Sequence, residues 1–330
     1  MLKFAGRRCG HLLALCALLL AGVQAQPARA QGGAYPDHAL RLVVPYSPGG
    51  NIDITARLVA QSLGDALGQP VVVENRPGAG GLVGAAFVAH AQADGYTLLL
   101  GSTGSLTTAP AIYKNVAFDP VGDFTAIGAI QTVPLVLNVS NKVPAANYAE
   151  LVALSKKDAI NAGVTGVGSL AHLALVLIAQ QTGLATLNVP YKGSGPAMTD
   201  LLGDHVSLVV DQLNSSLPYL RERSIKALAQ LGATRSPLLP DVPTMAEQGH
   251  AGLEAATFTG LFAPAGLPPG VEDKLAAALA RVVGDAEVRK RFEEMGASVM
   301  EMDRKQFRRF VADDLARWKK IAREASITAE

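Results

Sequence analysis

Four short segments combine glycine with hydroxyl-bearing residues in a way that suits a small anion. They are Tyr46-Ser-Pro-Gly-Gly-Asn-Ile-Asp53, Gly101-Ser-Thr-Gly-Ser105, Thr165-Gly-Val-Gly-Ser169 and Tyr191-Lys-Gly-Ser-Gly195. Glycine lets backbone amides approach a ligand closely, and hydroxyls both donate and accept hydrogen bonds. The candidate contacts are Tyr46, Ser47, Gly49 and Gly50 in the first segment, Ser102, Thr103 and Ser105 in the second, Thr165, Gly168 and Ser169 in the third, and Lys192 and Gly193 in the fourth. Lys192 is the only cation in these loops. A charge-assisted hydrogen bond contributes roughly 1.5–3 kcal/mol, and a helix N-terminus about 0.3–1 kcal/mol more. Four or five such donors around a carboxylate therefore suffice for micromolar binding, about −8 kcal/mol, without an arginine clamp. Taken singly, each loop also reads as ordinary caps and turns.

Three further polar residues lie near these loops. Asp53 falls in the first turn of a helix, where it either satisfies amides or touches a ligand. Asp211 ends a strand and can accept from a ligand hydroxyl or amine, or brace a loop. His172, in the first turn after Ser169, is either a donor to the cleft or a packed helix residue.

The loops need strands and helices to hold them. Residues 40–46 read as a buried strand, followed by a glycine turn and a helical face of Ile52, Ala56, Val59, Leu63 and Leu67. The pattern recurs at residues 71–75, a glycine-rich turn and an alanine-rich helix, with a strand at 96–101. It starts afresh at about residue 132, with strands at 135–139, 160–165, 187–190, 206–211 and 225–231, and a helix opened by Asn147 and Glu150. A strand at 257–263 precedes C-terminal helices, one carrying Phe307, Phe310, Val311, Leu315, Trp318 and Ile321, expected to pack back on the first lobe. Apolar strands alternating with helices predict an α/β fold with two lobes, each a mostly parallel sheet flanked by helices, and ligands beyond the carboxyl ends of the strands. The expected division is residues 31–131 and 256–330 in lobe 1, and 132–255 in lobe 2.

Composition narrows the function. The chain has 330 residues, 49% hydrophobic and 17% charged, with a net charge of +1, which gives no basic footprint for nucleic acid. Residues 1–30 hold Lys3, Arg7, Arg8 and Arg29 and no carboxylate, leaving 25 basic against 28 acidic residues in the remainder. An apolar run at 12–23 and the small-x-small site Ala28-Arg29-Ala30 complete the layout of a secretory signal peptide cleaved after Ala30. Arg7-Arg8 leaves the twin-arginine route open beside general secretion. Both cysteines, Cys9 and Cys16, lie in this leader, so the mature chain has no thiol for disulfides, metal or nucleophilic catalysis.

Enzyme signatures are scarce. Gly78-Ala-Gly80-Gly-Leu-Val-Gly84 follows a strand, as a dinucleotide loop does, but Val83 stands in the place of the third glycine. There is no Gly-x-Ser-x-Gly elbow, phosphate-binding lysine loop or His-x-x-x-His pair, and His38, His90, His172, His205 and His250 are scattered. Neither cofactor nor metal is expected.

An ordered set of motifs resembles the Bug family, the solute-binding proteins of tripartite tricarboxylate transporters. The set comprises Leu42-Val-Val-Pro-Tyr-Ser-Pro-Gly-Gly-Asn-Ile-Asp53, Gly68-Gln-Pro-Val-Val-Val-Glu-Asn-Arg-Pro-Gly-Ala-Gly-Gly81, Ala93-Asp-Gly-Tyr-Thr-Leu-Leu100, Val189-Pro-Tyr-Lys-Gly193, Leu239-Pro-Asp-Val-Pro-Thr244 and Gly260-Leu-Phe-Ala-Pro-Ala-Gly266. The resemblance implies a periplasmic-binding fold whose two hinged lobes close, as a monomer, on a di- or tricarboxylate, aromatic carboxylate or amino acid. It also implies delivery to the permease subunits of a membrane transporter, with presentation to a sensor kinase, or a secreted enzyme on the same scaffold, as alternatives. Ser47 replaces the family's usual proline, and the loops at 101–106 and 165–169 depart from the common form, although Gly168-Ser169 and His172 keep its spacing. The solute itself is not carried over.

Overall fold

The computed structural model describes residues 35–329, so the leader, its cleavage site and both cysteines lie outside the described residues. Strand β1 (Leu40–Val44) is apolar except at Arg41 and enters the glycine turn that ends at Gly50. Helix α1 (Asn51–Leu67) starts there and stops at Gly68, whose left-handed φ of 74° lets its amide return to the Gly64 carbonyl. Strand β2 (Val71–Asn75) leads through a 3-10 turn (Ala79–Gly81) into α2 (Leu82–Ala89) and β3 (Thr97–Ser102). A π turn (Gly104–Thr108) and the short α3 (Ala109–Ile112) precede β4 (Phe124–Ser140), a strand of 17 residues.

The second alternation follows. Helix α4 (Tyr148–Ser155) opens with the Asn147 side chain accepting the Glu150 amide, as the sequence predicts. Next come β5 (Ile160–Val164), α5 (Leu170–Thr182), β6 (Thr186–Pro190), α6 (Ser194–Leu202), β7 (Leu208–Gln212), α7 (Leu213–Arg221) and β8 (Ile225–Gln230). The chain then returns through β9 (Ala256–Pro264), α8 (Pro269–Gly284), α9 (Ala286–Glu294), β10 (Ser298–Val299) and α10 (Arg304–Glu324).

The strands run in the order β2-β1-β3-β9-β4-β7-β5-β6, with β8 and β10 also on β4. Pairing is parallel on the outside, among β2, β1 and β3 and among β6, β5 and β7. It is antiparallel in the middle, so the sheet is mixed. Strand β4 pairs with β9 up to Pro134, then with β7 and β8 from Leu135 and Val136 onward. Parallel strands end on one edge, so the loops after β1 and β3 share an edge, as do those after β5 and β6.

Two apolar clusters flank this switch. One gathers Val43, Leu99, Phe258, Phe262 and Phe307, and the other Leu137, Val164, Leu173, Val210 and Leu228. Each fully buried large side chain stabilises by about 1.5–3 kcal/mol. Helix α10 does not pack on the first lobe alone. Phe307 and Val311 enter the first cluster, but Trp318 and Ala322 enter the second, and Gln180 donates to the Ala325 carbonyl at 3.1 Å. Its apolar stripe is long enough, at about 1.5 Å per residue, to reach both. Among the described residues no helix is long and apolar enough to cross a membrane.

Candidate functional site

A narrow chamber lies where the two sets of loops meet. Among the described residues, four helices begin at its wall: α1 at Gly50 and Asn51, α5 at Ser169 and Leu170, α6 at Ser194, and α7 behind its N-cap Gln212. The first amides of a helix have no partner within it, and its dipole is positive at that end. In α1 the first of these returns is Ile54 to the Gly50 carbonyl, which leaves the amides before it for other acceptors. None of the lining side chains is charged.

Side chains extend this set of donors. Asn51 is 1% exposed; its Oδ1 accepts from Asn214 Nδ2 at 2.6 Å and Gln131 Nε2 at 3.2 Å, while its own Nδ2 has no partner. Ser169 caps α5 by accepting the His172 amide, and lies 3.4 Å from Thr165 Oγ1. Thr257 Oγ1 accepts from Gln212 Nε2 at 3.1 Å, so its proton is free for the chamber. Tyr46 donates to the Gly80 carbonyl at 3.0 Å and lies 3.3 Å from Ser102 Oγ; burial pushes its phenol up to about 12, so it stays neutral.

A second chamber shares Tyr46 with the first and is bounded by the glycine turn at 78–81, Tyr113, Val167, Tyr191 and Lys192. Around both, the loops of the two sheet halves touch. Ser47 donates to the Lys192 carbonyl from its amide (3.3 Å) and its hydroxyl (3.2 Å), Thr108 Oγ1 to the Gly168 carbonyl at 2.6 Å, and Tyr113 to the Val167 carbonyl at 3.3 Å.

Residues 55–327 match the family described as the tripartite tricarboxylate transporter family receptor. The chain belongs to that family. BugT of Bordetella pertussis is 36% identical over 293 residues, 88% of this chain and 90% of BugT. An R. palustris protein solved with adipate is 35% identical with a TM-score of 0.85, covering 89% of this chain and 99% of that one. MatC from Rhodopseudomonas palustris, solved with bound malate, is 33% identical with a TM-score of 0.83, covering 87% and 99%. The receptor therefore has the two-lobed periplasmic-binding fold, and its family is one of solute-binding proteins, not enzymes.

In this receptor, Tyr46, Gly50, Ser102, Thr165 and Ser169, all expected from the sequence, line the first chamber. Other expected residues lie beside or behind it. Gly49 stands against the Gly195 backbone, and Gly193 against Ser47, so both sit where the loops meet. Ser105 is fully buried and bonds the Ser102 amide, and Thr103 Oγ1 accepts the Phe258 amide at 2.9 Å; each ties a loop to its neighbour. Gly168 donates its amide to His172 Nδ1 at 3.1 Å, and burial holds that imidazole below its ordinary pKa, hence neutral. Lys192 is exposed and borders only the second chamber.

The two carboxylates act from behind. Burial works to raise the pKa of Asp53, but bonds from Arg57, the Gly49 amide and Asn75 outweigh it and hold the group below its usual range. Asp53 thus braces the first loop. Asp211, 0% exposed, accepts from Ser194 at 2.6 Å and Ser215 at 2.7 Å. Sequence reasoning missed Asn51, Ser194, Gln212 and Thr257 as lining residues. The first two sit inside loops already singled out, whereas Gln212 and Thr257 arrive on β7 and β9 with no local cue.

Proposed function

We propose that this receptor captures a small organic carboxylate in the first chamber, as its lobes close, and delivers it unaltered to the permease subunits of a tripartite transporter. The observation that carries the reading is the convergence of the N-termini of α1 and α5 and of the Ser102, Thr165, Ser169 and Thr257 hydroxyls on a chamber lined by no cation. Neutral donors fixed by the backbone hold an anion with little reorganisation. Relatives solved with adipate and malate support a di- or tricarboxylate; an aromatic carboxylate or amino acid has the same anionic group. Ser47, Gly49, Gly168 and Gly193 serve the closure, and Tyr46, Gly50, Ser102, Thr165 and Ser169 the ligand. The lobes divide at 131/132 and 255/256, a reading supported by the change of pairing partner along β4 at Pro134. The molecule works as a monomer in the periplasm after cleavage behind Ala30.

Mass spectrometry of small molecules released from the purified receptor, followed by calorimetry with malate, adipate and glutamate, tests this. Micromolar binding with the acid recovered intact is expected. Asn51→Asp, which sets a negative charge on the chamber wall at the start of α1, should weaken it at least about tenfold. Wild-type affinity in that variant would move the site elsewhere.

A further inference from the structure

The first chamber has one corner of opposite character. Ser194 opens α6, lines the chamber and is 7% exposed. Its hydroxyl donates to Asp211 Oδ1 at 2.6 Å, while Ser215 Oγ holds the other carboxylate oxygen at 2.7 Å. No cation pairs with this carboxylate among the described contacts; its partners are the two hydroxyls and the Gln212 amide. A serine has one proton, and Ser194 has spent it on Asp211, so toward the chamber it has only lone pairs. The anion behind polarises them, as happens along a buried hydrogen-bond chain.

Gln212 adds a second acceptor. Its Nε2 is turned to Thr257 Oγ1 at 3.1 Å, which leaves Oε1 on the side of Ser194, 3.5 Å from Oγ. The rest of the wall is rich in donors: helix amides and the Thr257 hydroxyl. A ligand carboxylate suits that wall. At the Ser194 corner it would meet two acceptors backed by a buried negative charge, an unfavourable pairing. A hydroxyl or ammonium hydrogen there meets both.

We propose that Ser194, fixed as an acceptor by Asp211 and flanked by Gln212, reads a hydroxyl or ammonium group on the ligand and so selects hydroxy or amino acids over the parent carboxylic acids. The proposal rests on the carboxylate reading above. Ser194 and Gln212 are the contacting residues, and Asp211 is a positioning residue.

Calorimetry at pH 7.5 with matched sets tests it: succinate, malate and aspartate; glutarate, 2-hydroxyglutarate and glutamate; phenylacetate, mandelate and phenylglycine. In the set that binds, the donor-bearing acid should bind about tenfold tighter or more than its parent. The hydroxy and amino members distinguish which donor is read. Ser194→Ala should bring the ratio to within about twofold, and Asp211→Asn, which keeps the shape without the charge, should lower it as well and serves if the alanine variant does not fold. The ratio, rather than the affinity, is the readout, because general loosening of the site would weaken all members alike. Parent acids binding as tightly as their substituted partners, or an undiminished ratio in both variants, would overturn the proposal while leaving the carboxylate reading intact. Failure of adipate and of every acid in all three sets would remove that reading, and this one with it.

Discussion

At the scale of single residues, Asp211 has the most distinctive titration. Burial pushes it up to about 6, against bonds from Ser194, Ser215 and the Gln212 amide that favour the charged form. The folded chain therefore keeps this proton up to about pH 6, whereas the unfolded chain releases it near pH 4. Between those values the folded state binds more protons, so stability falls as pH rises through the window and levels off above it, a loss on the order of 3 kcal/mol. Asp53, held below its usual range, works the other way at lower pH, so the informative quantity is a difference between variants. Melting temperatures of wild type and Asp211→Asn, measured from pH 4 to 8, should converge at the acid end, with the variant the more stable above pH 6. The sequence left Asp211 open between ligand contact and brace, because the end of a strand does not say which residue stands in front of it. In the structure the first residue of α6, Ser194, lines the chamber and bonds Asp211, which does not line it. Asn51 was within reach of sequence reasoning, next to Gly50 in a loop already marked, but the type alone does not announce a buried amide with a free nitrogen.

Elements decide how the loops meet. Gly195, in the first turn of α6, has ordinary backbone angles, but a Cβ there would run into the Pro48 carbonyl oxygen on the opposite loop. Gly195→Ala should therefore hinder closure without straining its own helix. Ligand affinity should drop at least about tenfold, read by calorimetry, while the unliganded melting temperature changes little; unchanged affinity would mean that these loops stay apart when ligand is bound. The sequence predicted most strands and helices to within a residue or two, since each βα unit carries its own period and glycine stop. It missed the first half of β4, residues 124–134. Gly128 and Pro134 interrupt the apolar pattern there, and the partner strand β9 lies some 130 residues further on, so nothing local marks the pairing. The stripe on α10 was legible as well, but a periodicity says which face is apolar, not that Phe307 and Trp318 enter different cores.

For the whole molecule, closure on a ligand predicts a smaller radius of gyration in small-angle scattering when saturating ligand is added, and no change with an acid that fails to bind. The cation-free chamber predicts a second property. With no lysine or arginine at its wall, affinity should vary less than about threefold between low and physiological salt, since screening acts mainly on exposed charge pairs. A steep salt dependence would point to Lys192 and the second chamber instead. The joint itself has a mechanical consequence. One unbroken strand, β4, hydrogen-bonds to neighbours on both sides of the change of partner, and α10 is anchored at either end in a different core. Jaws joined so are tied by two continuous elements rather than by loops alone, so closing them should bend β4 near Pro134 and carry both ends of α10 along, leaving fewer joint arrangements to be lost when cargo is gripped.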